Sequence, residues 1–368
     1  MSDMNVKNVK RVDSLDYLRG IAAFGIMIYH CFTWGFGGFS PDSFMGKWGI
    51  YGVSIFYILS GLTLHYVYFD NMNFTPRDLK KFFLKRFFRI YPLLWLTIIL
   101  TIILNQKMPS LPGLLLNLTG AFGVLKWHSY IGVGVWSIGN ELVFYLFFPV
   151  FIFLSKKSKF LFFCLSAILL LIFLYFAFFK MDASLSLTDN EQWKMYVNPL
   201  NQVFLFLSGY LMGMFFRRYM FSKFWTISIL LLSLLVFILY TPVSSNLSAG
   251  INRIILSTLS FLICLSFYKS TLQVPVFIDK VLKMLGEASY SIYLLHPIVW
   301  QLLYIANERL SLKLSMTTCV ALTIVISTIV GYFNHKYFES FFVRLGKKVS
   351  QILAPDMPHG KVKYVQVK

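Results

Sequence analysis

Ionisable side chains set within long apolar stretches are the residues of this sequence best suited to chemistry. His30 stands in one such stretch, eleven positions after Arg19, so the two share a helical face about 16 Å apart along its axis. Asp16 lies three residues before Arg19, the spacing of an ion pair. A second stretch opens at Trp136, and there Ser137, Glu141 and Tyr145 recur every four residues along one face. In a third, Ser289, Tyr293 and His296 fall on one face ahead of Pro297, which removes a backbone donor and loosens the preceding turn. An ionisable group in a bilayer costs about 2.5–3.5 kcal/mol on insertion scales, so each needs a partner or a function. An imidazole suits proton transfer near neutral pH. Each group also has a plain structural reading. Arg19 can snorkel to the membrane surface, and His30 can be a packing residue. Glu141 can pair with a base, and the Ser289-Tyr293-His296 stripe can join two helices by hydrogen bonds.

A different chemistry is open to the run Lys80-Lys81-Phe82-Phe83-Leu84-Lys85-Arg86-Phe87-Phe88-Arg89-Ile90-Tyr91-Pro92. Arg86 and Arg89 project from one helical face, and two guanidinium forks suit phosphate recognition. A basic helix drawn to anionic lipid is the alternative.

Membrane-spanning elements must position these groups. Of the 368 residues 57% are hydrophobic and 13% charged, about half the charged fraction of a soluble domain; mean hydropathy is +0.68. Apolar stretches run over 18–36, 49–69, 89–105, 111–126, 136–155, 160–179, 199–216, 223–241, 250–268, 288–306 and 315–336. The stretch at 111–126 carries Pro112, Gly113, Asn117, Gly120 and Gly123, which suits a re-entrant or broken segment lodged within protein. If that stretch does not cross and the N-terminus is cytoplasmic, most of the 34 basic residues fall on the inner side, as the positive-inside rule requires. These include Lys7, Lys10 and Arg11 at one end and Lys361, Lys363 and Lys368 at the other. The expectation is an all-α polytopic bundle with ten crossings and both termini inside. Its parts are a tail at 1–14, a transmembrane domain at 15–340 and a cytoplasmic tail at 341–368. On this topology His30 and Glu141 share the outer half of the membrane, while His296 lies in the cytoplasmic half.

The net charge of +19 belongs to this orientation pattern rather than to nucleic-acid binding. Cys31, Cys164, Cys264 and Cys319 are scattered without CxxC spacing, which argues against a metal site or a disulfide framework. The first apolar stretch contains Arg19 and His30 and lacks a small-residue cleavage site, unlike a signal peptide.

Taken in order, the sequence resembles acyltransferase family 3 over residues 13 to about 300. The resemblance rests on Leu15-Asp16-Tyr17-Leu18-Arg19-Gly20 running to Tyr29-His30, and on Ser54-Ile55-Phe56-Tyr57-Ile58-Leu59-Ser60-Gly61. It continues through Arg86-Phe87-Phe88-Arg89 before Ile90-Tyr91-Pro92, then the block from Trp136-Ser137 to Glu141 with Phe144-Tyr145-Leu146 and Pro149. It ends with Ser289-Tyr290-Ser291-Ile292-Tyr293-Leu294-Leu295-His296. Leu62 stands where the family usually has Phe. Some members carry an additional extracytoplasmic hydrolase-like domain, which a sequence of 368 residues is not expected to accommodate. The resemblance implies a bacterial inner-membrane enzyme that moves an acyl group, usually acetyl from acetyl-CoA, to a hydroxyl of an envelope polysaccharide or lipid-linked oligosaccharide. His30 is then the favoured catalytic group, and Arg86 and Arg89 are favoured contacts for the CoA.

The residues fit that chemistry. Arg86 and Arg89 can hold CoA phosphates on the cytoplasmic face while the thioester reaches inward to His30 and the acceptor comes from outside. Glu141 can orient His30 or bind the acceptor, and an acyl-imidazole intermediate is an alternative to direct transfer. Arg19, Ser137 and backbone amides are candidates to stabilise the oxyanion. Two rivals stand beside this reading. One is a transporter or flippase with a polar pathway, and the other is an acyltransferase acting on a lipid or small metabolite.

Overall fold

Eight of the described helices begin where the sequence supplies a side-chain cap. The side chains of Ser43, Thr75, Ser110, Ser158, Asp189, Asn198, Ser222 and Ser315 each accept a hydrogen bond from a backbone N–H in the first turn that follows. Such bonds satisfy donors that the helix itself leaves open. Proline follows at the start of the helices after Thr75, Ser110 and Asn198, where its missing N–H costs nothing. A computed structural model of the chain describes residues 12–271 and 274–355. The basic residues expected to flank the bundle at Lys7, Lys10, Arg11, Lys361, Lys363 and Lys368 lie outside the described residues.

The described chain is helical, without strands. Its elements are α1 (Asp13–Phe36), α2 (Phe44–Tyr68), α3 (Pro76–Asn105), α4 (Leu111–Thr119), α5 (Phe122–Leu125), α6 (Val135–Lys157), α7 (Lys159–Tyr175), α8 (Asn190–Tyr196), α9 (Pro199–Phe216), α10 (Lys223–Leu239), α11 (Gly250–Lys269), α12 (Val276–Glu287), α13 (Ser289–Arg309), α14 (Met316–Phe333) and α15 (Ser340–Leu353). A π-helical turn, Phe176–Lys180, extends α7, and another, Asn334–Glu339, joins α14 to α15.

Seven stretches of described helix, built on α2, α3, α6, α7, α9, α11 and α14, are long and apolar enough to cross a membrane. Large apolar side chains such as Phe160, Leu171, Phe179, Leu231 and Leu239 face outward from the bundle, which a soluble protein avoids. The chain is a multi-pass membrane protein. The 24-residue α1 and the 21-residue α13 are not among the seven. Arg19 and His30 depress the hydropathy of the first, and Ser289, Ser291, His296 and Gln301 that of the second. Both helices carry candidate chemistry.

The stretch at 111–126 is broken, as its glycines and proline lead one to expect. α4 has nine residues, about 14 Å of helix against a hydrocarbon core of about 30 Å. Gly120 then turns the chain at φ +71°, and Gly123 lies against Gly139 of α6, where a Cβ would meet the Gly139 carbonyl oxygen at 2.5 Å. Side chains of α3 hold the break in place. Tyr91 donates to the Thr119 carbonyl and Trp95 to that of Leu118, each at 2.7 Å. Asn117 bridges to Ser129 and Ile131. Irregular backbone at membrane depth needs such internal partners.

α2 packs most extensively on α9. A Cβ on Gly61 would stand 1.9 Å from the Phe206 carbonyl oxygen, and one on Gly209 would stand 1.8 Å from that of Ile58. Backbone meets backbone here, as small residues allow in membrane packing. Gly209→Val is therefore expected to cost about 3 kcal/mol or more, the upper end of ordinary overpacking. Thermal melting of the detergent-solubilised protein checks this, and a wild-type melting curve would show that the two helices can part at no cost.

α12 runs beside the start of α1 rather than away from it. Gly286 meets the backbone of Asp16, and Gly20 meets that of Leu285 and Gly286. Tyr17 donates a short hydrogen bond to Asp279, and Lys283 pairs with Asp13 at 2.8 Å and with Asp279 at 3.0 Å. The Tyr17 hydroxyl, then Lys283, holds the half-buried Asp279 carboxyl below the usual range. At the other end of the chain the structure differs from the tail expected at 341–368. The helix passes residue 340 and continues to Leu353, packed along α3 with Gly346 against Phe88.

Candidate active site

A cavity of about 690 Å³ lies within the bundle, and its lining includes the exposed Lys347 of α15 as well as the buried Ser137 and Tyr293. Asp16, Arg19, Arg86, Arg89, Ser137, Glu141, Ser289 and Tyr293 all line it. Four motifs far apart in sequence thus converge on one space.

Arg19 does not snorkel to lipid. Its guanidinium reaches Asp16 at 3.2 Å, the Thr63 hydroxyl at 2.5 Å and the Leu59 carbonyl at 3.5 Å. Arg86 is wedged among the rings of Tyr68, Phe82 and Tyr145, at 5.7–5.9 Å from their centroids, within cation–π range. It also donates to the Tyr68 hydroxyl at 3.4 Å. Arg89, one turn on, lines the same cavity and makes no hydrogen bond or ion pair to the protein among the described residues. Its five donors are open to a ligand. The paired arginines are thus unequal: one is clamped by aromatic rings, and the other is free.

Glu141 accepts from Ser60 at 3.2 Å and takes a short hydrogen bond from Tyr145. Among the described residues it makes no hydrogen bond or ion pair with His30, so the pairing considered from the sequence does not form. The broken segment explains the difference. Because α4 and α5 fold back against α3 and Gly139, α6 starts inside the bundle, and Glu141 falls among the cavity arginines. Trp136 lies outside the cavity, packed against Trp193 and Tyr196. Ser289 caps its own turn through the Gly286 carbonyl at 2.8 Å.

At the deep end of the cavity Ser137 and Tyr293 are hydrogen-bonded at 2.9 Å, and Ser137 also donates to the Gly134 carbonyl at 2.8 Å. His296 lies one turn beyond Tyr293, with the rings 6.3 Å apart. There the structure corrects the depth expected for His296. Nδ1 of His30 and Nε2 of His296 are 2.9 Å apart, so the two residues occupy one level. The physical reason is the course of α12. Gly286 meets α1 near Gly20, and each histidine stands ten residues beyond its own glycine. The rings are inclined by only 17°, and Trp34 stacks on both, at 5.2 Å from His30 and 5.8 Å from His296. His65 provides a contrast. Both its nitrogens are buried without a partner, against Phe69 and Tyr210, as in a histidine that only fills space.

Sequence reasoning misses several cavity residues. Thr63 holds Arg19. His335 and Lys347 line the wall supplied by the π-helical turn and α15. His335 Nδ1 is 3.2 Å from Glu339, which also accepts a short hydrogen bond from Ser291. The i, i+4 spacing of His335 and Glu339 is a usable signal. Nothing in the sequence folds Lys347 back onto α3 except the apolar periodicity of 340–353.

A helical membrane protein with a basic, hydroxyl-rich cavity ending beside a histidine pair is suited to group transfer between two faces of a bilayer. A family model described as an acyltransferase domain matches residues 12–334, and the chain belongs to that family, acyltransferase family 3. It is similar to a Staphylococcus aureus (strain COL) protein provisionally named O-acetyltransferase SACOL0978, with 26% identity over 79% of this chain and 51% of that protein. It is also similar to the peptidoglycan O-acetyltransferase OatA of Listeria monocytogenes, with 29% identity over 40% of this chain and 25% of that one. An Acidianus two-tailed virus protein, ORF330, provisionally named an acetyltransferase, shows 26% identity over 82% and 87% respectively. The chain spans about half the length of the first of these relatives. No solved structure matches.

Proposed function

We propose that the chain is an O-acyltransferase of a bacterial cytoplasmic membrane, moving an acetyl or other short acyl group from cytoplasmic acyl-CoA to a hydroxyl of an envelope glycan. The observation that carries this reading is the cavity, with the free Arg89 toward its open end and the histidine pair one turn past its floor. The S. aureus and L. monocytogenes relatives support acetyl transfer, and the peptidoglycan O-acetyltransferase supports a glycan acceptor. Ten helices of 17 to 30 residues among the described ones fit ten crossings, with the mouth of the cavity and both termini in the cytoplasm.

Arg89, with Lys85 and Lys347 nearby, binds the phosphates of the donor, and the thioester extends inward past Arg19 and Glu141. His30 takes the proton of the acceptor hydroxyl as its oxygen bonds to the acyl carbon. The carbon–sulfur bond breaks, and the thiolate leaves as the thiol with the proton returned from His30. The products are the acyl ester and free CoA. Arg19 or the Ser137–Tyr293 pair faces the developing oxyanion.

Inverted and right-side-out membrane vesicles test both the reaction and its direction. Radiolabelled acetyl-CoA is expected to label envelope glycan only when it reaches the cytoplasmic face. Labelling from the outer face alone would overturn the orientation. Glycan or glycan-precursor movement without any acyl-CoA requirement would replace the enzyme with a transporter.

A further inference from the structure

We infer that His296 is a positioning residue which fixes the tautomer of His30, leaving Nε2 of His30 as the proton acceptor. The inference rests on the reading of His30 as the base, but its structural half can be tested without turnover.

The argument follows hydrogen-bond polarity through three groups. Nδ1 of His296 lies 3.0 Å from the Ile292 carbonyl oxygen. A carbonyl only accepts, so Nδ1 of His296 carries a proton. In a neutral imidazole the other nitrogen is then a lone pair, so Nε2 of His296 accepts. Its partner at 2.9 Å is Nδ1 of His30, which must therefore donate. Neutral His30 is left with its lone pair on Nε2, and that atom has no partner among the described residues. Neither ring has a carboxylate within hydrogen-bonding distance among the described residues, so the backbone carbonyl alone sets the direction of the relay. His30 is half-buried and His296 fully buried, which puts the open nitrogen on the ring that substrate can approach. Trp34, stacked on both rings, keeps them nearly coplanar. Fixing a tautomer through the far nitrogen is how a base is kept in its working form, and the wrong tautomer can cost orders of magnitude in kcat. When the acceptor proton arrives on Nε2, the proton on Nδ1 stays in its bond to His296, and no further proton has to move.

Nitrogen-15 NMR of the full chain in lipid bilayers, labelled at its six histidines, reads the tautomer directly. The His30 signals are identified by their loss in His30→Gln. The wild type is expected to show protonated Nδ1 and unprotonated Nε2 at His30. His296→Gln keeps an oxygen acceptor in place of Nε2, so it should hold that tautomer and most of the activity. His296→Leu has no acceptor, so a proton should appear on Nε2 of His30 and kcat should fall at least about tenfold, with the KM for acyl-CoA unchanged. A wild-type His30 protonated on Nε2 would overturn the proposal, and so would a His296→Leu protein with the wild-type tautomer and kcat. If His296→Leu does not reach the membrane, the wild-type spectrum and the His296→Gln rescue still decide it. An active His30→Gln enzyme alongside the expected spectrum would remove the base assignment and leave the tautomer lock standing.

Discussion

Replacing His30 by glutamine is expected to lower acyl transfer by about 10²- to 10⁴-fold, the range that a general base contributes, while the protein still inserts and binds acyl-CoA. Glutamine keeps similar size and hydrogen-bonding ability but cannot take up a proton at neutral pH. His30 does not line the cavity, so on the proposed mechanism acyl-CoA affinity should not change. The informative measurement is therefore the pair of constants. A fall in kcat with constant KM for acyl-CoA identifies a group acting in the transition state. A well-expressed His30→Gln protein with near-normal acylation would end the mechanism while leaving the family assignment intact.

The second large effect belongs to the arginines, and the structure separates them. Arg89→Ala removes a guanidinium with no protein partner to lose, so acyl-CoA affinity should fall by about tenfold or more, as for a charge-assisted phosphate contact, with melting unchanged. Arg89→Lys should recover only part, because an ammonium lacks the bidentate fork. Arg86→Ala also opens a hole between Tyr68, Phe82 and Tyr145, so it should lower both affinity and thermal stability. Calorimetric titration with CoA alongside melting curves distinguishes the two cases. Unchanged CoA affinity in Arg89→Ala would return the basic run to a lipid-facing role.

The helical, membrane-spanning character of the chain and the helical faces shared by its polar residues were legible in sequence because apolar length and motif spacing are local properties. Asp16, Arg19, Arg86, Arg89, Ser137, Glu141, Ser289 and Tyr293 line one cavity, a convergence that shared helical faces alone do not specify. Relative depth was not legible, because depth depends on what precedes a helix. Glu141 sits with Arg19 and the α3 arginines because the broken segment starts α6 inside the bundle. His296 reaches His30 because α12 lies against α1 at Gly20 before α13 begins. Counting residues from an assumed membrane surface misses both. The partnership of His335 with Glu339 was open to sequence through its i, i+4 spacing, whereas the position of Lys347 escaped for a related reason. Residues 340–353 are basic enough to pass for a tail, and their apolar face becomes meaningful only against Phe88 and its neighbours.

The wall of the cavity that α15 supplies has a consequence for biogenesis. The helix lines the cavity through Lys347 and rests on α3, yet it is synthesised after all the other described helices. Until it leaves the ribosome and docks, that side of the cavity is missing. A nascent chain with every other described helix inserted therefore lacks this wall of the cavity until α15 docks.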